Sequence, residues 1–209
     1  MMSELPPLPP QSPGTSQTLA GSPSALPAWE RGNRFFELQS PWLTLIGEHW
    51  RDDRQQRLDY WRVEKADSAI VLPLCEDILL LPPPSYRPGL GEMTLDFPGG
   101  RVPAGQTAAA GVPAILQREL HLSPDHIQQI DALNPTGWAV NSSFSNQRLY
   151  GFVAHLDAAI LTSAAAPSWR GYATTPAGIR DLLAALTCLQ CRAVLLEWGC
   201  GRLSSPRGG

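Results

Sequence analysis

Eight residues constrain this chain more than any other stretch: Ser68-Ala-Ile-Val-Leu-Pro-Leu-Cys75. A strand with one face in water alternates apolar and polar side chains. This run does not alternate, so as a strand it must be covered on both faces. Glu76-Asp77 makes a tight turn, and Ile78-Leu-Leu-Leu-Pro-Pro83 returns as the next strand. The run from Ser68 to Cys75 therefore suits a strand buried on both sides.

The rest of the chain supplies that cover. Trp42–Arg51 (WLTLIGEHWR) and Arg57–Lys65 (RLDYWRVEK) mix β-formers with charges in near alternation across the polar turn 52–56, the pattern of a hairpin with one covered face. Ser85–Phe97 reads as a loop running into a short strand, residues 123–147 as mostly loop, and Arg148–Leu156 as a strong strand. Thr175 as N-cap, Pro176 at the first helical position and apolar residues at 179, 182, 183 and 186 predict a helix; CRAVLLEW (191–198) extends it or forms a second. The order is hairpin, strands, loop-helix, strand, helix. It suits a mixed α/β sandwich, because a doubly wound sheet needs more alternating helices. One domain is expected over residues 35–200. Residues 1–28, rich in Pro, Ser and Gly, cannot bury enough apolar surface to offset chain entropy and read as a disordered arm. Residues 201–209 read as a flexible tail.

Charge and cysteine usage exclude several functions. A net charge of −3 with no basic run argues against a nucleic-acid partner. No apolar run approaches the roughly 18 residues of a spanning helix, so no membrane partner is expected. The first residues lack a basic segment followed by an apolar one, so the chain is expected to be cytoplasmic and its cysteines (75, 188, 191, 200) reduced. Cys188-x-x-Cys191 has the spacing of a metal or redox pair. It lies in a leucine-rich helical pattern without a second pair or nearby His, and reads as two small buried apolar residues.

The loop-helix from Phe97 to Leu122 carries the functional information. Three pieces occur in order: Ser85-Tyr86-Arg87, Asp96-Phe97-Pro98-Gly99-Gly100-Arg101, and Gly105-Gln106-Thr107. Together with the flanking segments they resemble the Nudix hydrolases, in particular the ADP-ribose pyrophosphatase branch, over roughly Leu43 to Leu156. The resemblance implies a Nudix-like α/β/α sandwich with a mixed sheet and an N-terminal β-hairpin through which the chain forms a homodimer. It also implies a substrate in which a nucleoside diphosphate is linked to another group.

The chemistry departs from that family. The Nudix box, G-x5-E-x7-R-E-U-x-E-E-x-G-U with U aliphatic, laid from Gly100, puts its first Glu on Gln106. Its Arg-Glu falls on Ala114-Ile115, its Glu-Glu on Arg118-Glu119, and its later Gly on His121. Enzymes of this kind hold divalent metal on helix carboxylates spaced along one face, and the metals orient phosphate and activate water. Here Ile115 offers no ligand, and Arg118 places a cation beside the remnant Glu119. At ~5 Å and an effective dielectric of ~20 the two charges interact by ~3 kcal/mol. A general base is also absent: between Asp131 and Asp157 the chain has no Asp or Glu, only polar residues such as Asn141, Ser143 and Asn146.

The candidate site is therefore Glu119, as remnant catalytic residue and metal ligand or as an arginine's partner, with Arg87, Arg101 and Arg118 as phosphate binders and Gly99, Gly100 and Gly105 shaping the loop. Arg101 equally suits a role pinning the loop to the sheet. Tyr60, Trp61 and Trp138 suit either stacking or core. Two functions follow. One is a module that binds a nucleoside-diphosphate-type molecule or a protein partner and has lost hydrolysis; no cofactor is expected for it. The other is a divergent hydrolase of such a compound, for example ADP-ribose, which would use Mg²⁺.

Overall fold

The computed structural model describes residues 29–162 and 168–204. The expected arm (1–28) and residues 205–209 of the expected tail lie outside the described residues. The unbroken apolar run forms strand β4 (Ser68–Cys75) in the middle of the main sheet. It pairs parallel with β11 (Arg148–Leu156), and antiparallel with β5 (Ile78–Leu81) and β8 (Gly99–Arg101). β12 (Arg170–Ala173) extends the sheet beyond β5, while β9 (Ile127–Ala132) and β10 (Trp138–Ala139) pair with β11. The sheet is mixed, as expected.

Both faces of β4 are covered. Ala69, Val71 and Cys75 enter a core shared with helix α1 (Val112–Leu120). Ile70, Leu72 and Leu74 enter a second core with α2 (Pro176–Ala185) and α3 (Leu189–Ser204). Strand β11 divides likewise, Phe152 and Ala154 to the first core and Leu149 and Val153 to the second. Each fully buried Leu, Ile or Val contributes ~1.5–3 kcal/mol, so this two-sided burial anchors the fold. Pro73 is tolerated at the centre for a topological reason. Val71 N–H donates to Pro98 on the β8 side, and residue 73 shares that direction. On that edge β8 covers residues 68–70 and β5 covers 74–75, so the donor that proline lacks falls between two partners.

The expected hairpin is present as β2 (Thr44–Arg51) and β3 (Arg57–Glu64), extended by β1 (Glu30–Gln39) into a separate three-stranded antiparallel sheet. Strand β1 starts ahead of the expected domain boundary at 35. Its sequence, ERGNRFFELQ, lacks alternation because all ten residues are exposed. Strand β9 runs through a segment expected to be mostly loop. It satisfies the open backbone edge of β11, a demand visible only once β11 is placed. Thr175 caps α2 as expected, its hydroxyl accepting from Gly178 N–H at 3.2 Å. Residues 191–198 belong to a distinct helix, α3, which runs to Ser204 past the expected start of the tail. Among the described residues no helix is long and apolar enough to cross a membrane.

Candidate functional site

A cleft of about 870 Å³ opens where β8, the start of β4, the end of α1 and the start of α3 meet the two-stranded ribbon β6 (Ser85–Arg87) and β7 (Glu92–Thr94). The charged side chains lining it are Lys65, Arg87 and Arg101 against Asp96 and Glu119. Gly99 and Gly100 also line it, so the loop and several of the expected site residues converge here.

Loop and helix are locked together through Arg118. Its Nη2 donates to the Gly99 carbonyl at 2.6 Å, and its Nε to Glu119 at 2.9 Å. A Cβ on Gly100 would lie 2.9 Å from Arg118 Nη2 and 3.3 Å from Ile115 Cγ1, so a side chain there would displace the Arg118 guanidinium from its place beside the loop. Ile115 is 3% exposed and belongs to the core with Val112 and Leu116. A carboxylate there would be a buried charge. Gly105, at φ +77°, makes the turn ahead of α1. Pro113 sits in the first turn of α1, where its missing N–H removes no helical bond. His121 closes the helix in the left-handed region at φ +56°, where the Nudix box has its glycine.

The other two arginines are also engaged. Arg87 Nε donates to Asp96 Oδ2 at 2.8 Å, and Thr94 Oγ1 donates to the same oxygen at 2.8 Å. Arg101 donates to the carbonyls of Pro41 (2.9 Å) and Trp42 (3.3 Å), and its guanidinium lies 4.3 Å from the centre of the Trp42 ring. Arg101 thus ties the loop to the turn between β1 and β2 of the N-terminal sheet. Tyr60 and Trp61 lie on β3 in that sheet, and Tyr60 O–H donates to the Ser143 carbonyl. Trp138 packs against the second core. The polar loop after α1 works as a brace: Asn146 Oδ1 accepts from Lys65 N–H, and Gln147 Nε2 donates to the Ala66 carbonyl.

The resemblance to the Nudix hydrolases implies Mg²⁺ for an active enzyme, and the residues at the box positions do not fit it. Gln106, Ile115 and Arg118 supply no anion, and the carboxylate of Glu119 already has a guanidinium at 2.9 Å. A hard cation that prefers carboxylate and water oxygens has one anionic ligand to take here, in competition with a fixed positive charge.

A cluster that sequence reasoning split apart lies on the same cleft. Cys188 precedes α3 and is partly exposed, whereas Cys191, in its first turn, is 2% exposed. Their sulfurs and a carboxylate oxygen of Asp96 lie within 4.8 Å of one another. Cys191 Sγ is 3.7 Å from Asp96 Oδ1. The Cys191 thiol, followed by backbone amides of α3, stabilises negative charge on Cys188 and holds that thiol down at about 6. Cys191 is pushed strongly up by that same bond to Cys188 and by burial. Both cysteines pack with the second core, as the apolar reading expects, and both also face Asp96. The spacing was visible in the sequence; the third member, Asp96, lies 92 residues before Cys188 in the chain and only folding brings it in.

No protein-family model matches the sequence, and no curated protein matches it. Among solved structures the chain is similar to one titled "Crystal structure of ADP compounds hydrolase", with a TM-score of 0.67 at 17% identity, covering 85% of this chain and 97% of that one. That near-complete overlay bears out the fold class read from the loop-helix and the two-faced strand: the chain has a Nudix-like mixed α/β fold, shared with an ADP compounds hydrolase at an identity that speaks for architecture and not for chemistry.

Proposed function

We propose that this protein binds a nucleoside-diphosphate-type anion in the β8–α1–α3 cleft without metal-dependent hydrolysis. The observation that carries this reading is the Arg118–Glu119 pair: the last carboxylate of the loop-helix is held at 2.9 Å by a guanidinium that also bonds the loop carbonyl of Gly99. A fixed internal cation replaces an exchangeable one, and the water-activating role of metal has no occupant. The cleft lining carries three cations against two carboxylates, which favours an anion without a metal bridge. The fold shared with an ADP compounds hydrolase makes ADP-ribose the first ligand to test.

The test has two arms. Calorimetry with ADP-ribose in excess EDTA should give metal-independent binding that weakens with salt and in Arg101→Ala. An assay with Mg²⁺ or Mn²⁺ should give no turnover in the ordinary enzyme range of ~1–10³ s⁻¹. Turnover abolished by Glu119→Gln would instead establish the divergent-hydrolase alternative. Absence of binding at millimolar ligand would leave the protein as an interaction module.

A specific observation favours a protein-interaction role beside the first. Strand β1 is exposed along all ten residues, and Phe35, Phe36, Leu38 and Trp42 stand at 40–69% exposure on or beside it. A long exposed edge strand bearing large apolar side chains is a pairing surface. A second copy of this chain is the occupant we infer, with light scattering of the intact protein as the test.

A further inference from the structure

We infer that Cys188, Cys191 and Asp96 form a binding site for a thiophilic divalent cation of the Zn²⁺ class, open to the cleft at its fourth position. The site is separate from the loop-helix carboxylates that the fold family uses, and it does not depend on the nucleotide reading.

The argument is geometric. A tetrahedral ion with bonds of ~2.3 Å to sulfur and ~2.0 Å to oxygen sets its ligand atoms ~3.5–3.8 Å apart. The Cys191 sulfur and Asp96 Oδ1 stand 3.7 Å apart, and all three donor atoms lie within 4.8 Å of one another. Small side-chain rotations suffice to close them on one ion. The two-residue spacer of Cys188-Leu-Gln-Cys191 places both sulfurs at the start of α3, on the side of the sheet where the ribbon β6–β7 leads into Asp96.

The surroundings hold the ligands in place. Asp96 uses Oδ2 to accept from Arg87 Nε and Thr94 Oγ1, both at 2.8 Å, and turns Oδ1 toward Cys191. Such outer partners orient a metal-binding carboxylate. Cys191 Sγ lies 3.7 Å from Asp96 Oδ1, and the donor atoms of all three residues lie within 4.8 Å of one another. A divalent cation meets all three donors at once, displacing thiol protons as it binds. Two sulfurs and one oxygen select a soft or borderline ion over Mg²⁺ or Ca²⁺. All three residues line the cleft, so the fourth position points to where water or a ligand oxygen can enter.

The experiment uses full-length protein, reduced with a phosphine and stripped with chelator, then titrated with Co²⁺ as a spectroscopic stand-in for Zn²⁺. We expect thiolate-to-cobalt charge transfer saturating at one ion per chain, displaced by Zn²⁺, and a Zn²⁺-dependent rise in melting temperature. Cys188→Ser and Cys191→Ser should abolish the band. Thr94→Val, which removes one of the two outer partners of Asp96 and no ligand, should weaken affinity ~10–100-fold. Cys200→Ser should leave binding unchanged, and circular dichroism verifies that each variant is folded. No saturable band in the reduced wild type, or a band that survives in the folded Cys188→Ser and Cys191→Ser variants, overturns the proposal.

Discussion

Replacing Glu48 by Gln tests how the N-terminal sheet is held together. The Glu48 side chain is fully buried, yet three guanidiniums converge on it. Arg62 donates from Nε to Oε2 at 3.0 Å and from Nη2 to Oε1 at 3.1 Å, and Arg34 Nε donates to Oε1 at 3.1 Å. Arg62 first, and then Arg34, holds the carboxyl down at about 2, against 4.5 for the free group. At ~1.4 kcal/mol per tenfold change that displacement corresponds to about 3 kcal/mol. Arg31 and Arg34 are 55% and 42% exposed, and solvent screens their share, which leaves about 2 kcal/mol. The sign follows from the depressed value: the stabilisation is fully present above pH 4.5 and is lost as pH falls through about 2. Glu48→Gln should therefore lower the melting temperature at pH 7 by ~4–8 °C. Wild type and variant should converge as pH drops from 4.5 toward 2, as followed by circular dichroism at matched protein concentration. A loss below about 1 °C at neutral pH, or an undiminished gap near pH 2, would falsify the argument.

Site-resolved mass spectrometry of iodoacetamide labelling on reduced, metal-free protein should show Cys188 reactivity rising through about pH 6, far ahead of an ordinary thiol near 9.0, while Cys75, buried and pushed up, stays unmodified; a Cys188 profile that rises only near 9.0 sinks this. His121→Gly should raise stability by ~1 kcal/mol, because a side chain at φ +56° is strained and glycine is not; chemical denaturation checks it, and a loss of stability contradicts it. Leu38→Glu on the exposed β1 should shift the protein from dimer to monomer in light scattering without loss of melting temperature in the monomer; an unchanged mass assigns the strand no role in self-association.

Local pattern was enough wherever a residue's role depends on its neighbours along the chain. The unbroken run 68–75 announced two covered faces, Thr175-Pro176 announced a helix start, and the resemblance carried by the loop-helix and its flanks announced the fold class. Other features were decided only in three dimensions. Strands β1 and β9 exist because partners offer open backbone edges, a demand written in β2 and β11 and not in their own sequences. Glu48 looked like one more charge on an alternating hairpin until folding set Arg31, Arg34 and Arg62 around it. Arg101 had two readings of equal weight, and only folding brings it to the carbonyls of Pro41 and Trp42, some 60 residues away, while it still lines the cleft. The grouping of Cys188 and Cys191 with Asp96 is the sharpest case. A short motif reports its own spacing, but the chemistry of a thiol pair depends on what charge stands within a few ångströms, and here that charge comes from the segment between β7 and β8, brought in by the packing of α3 against the sheet.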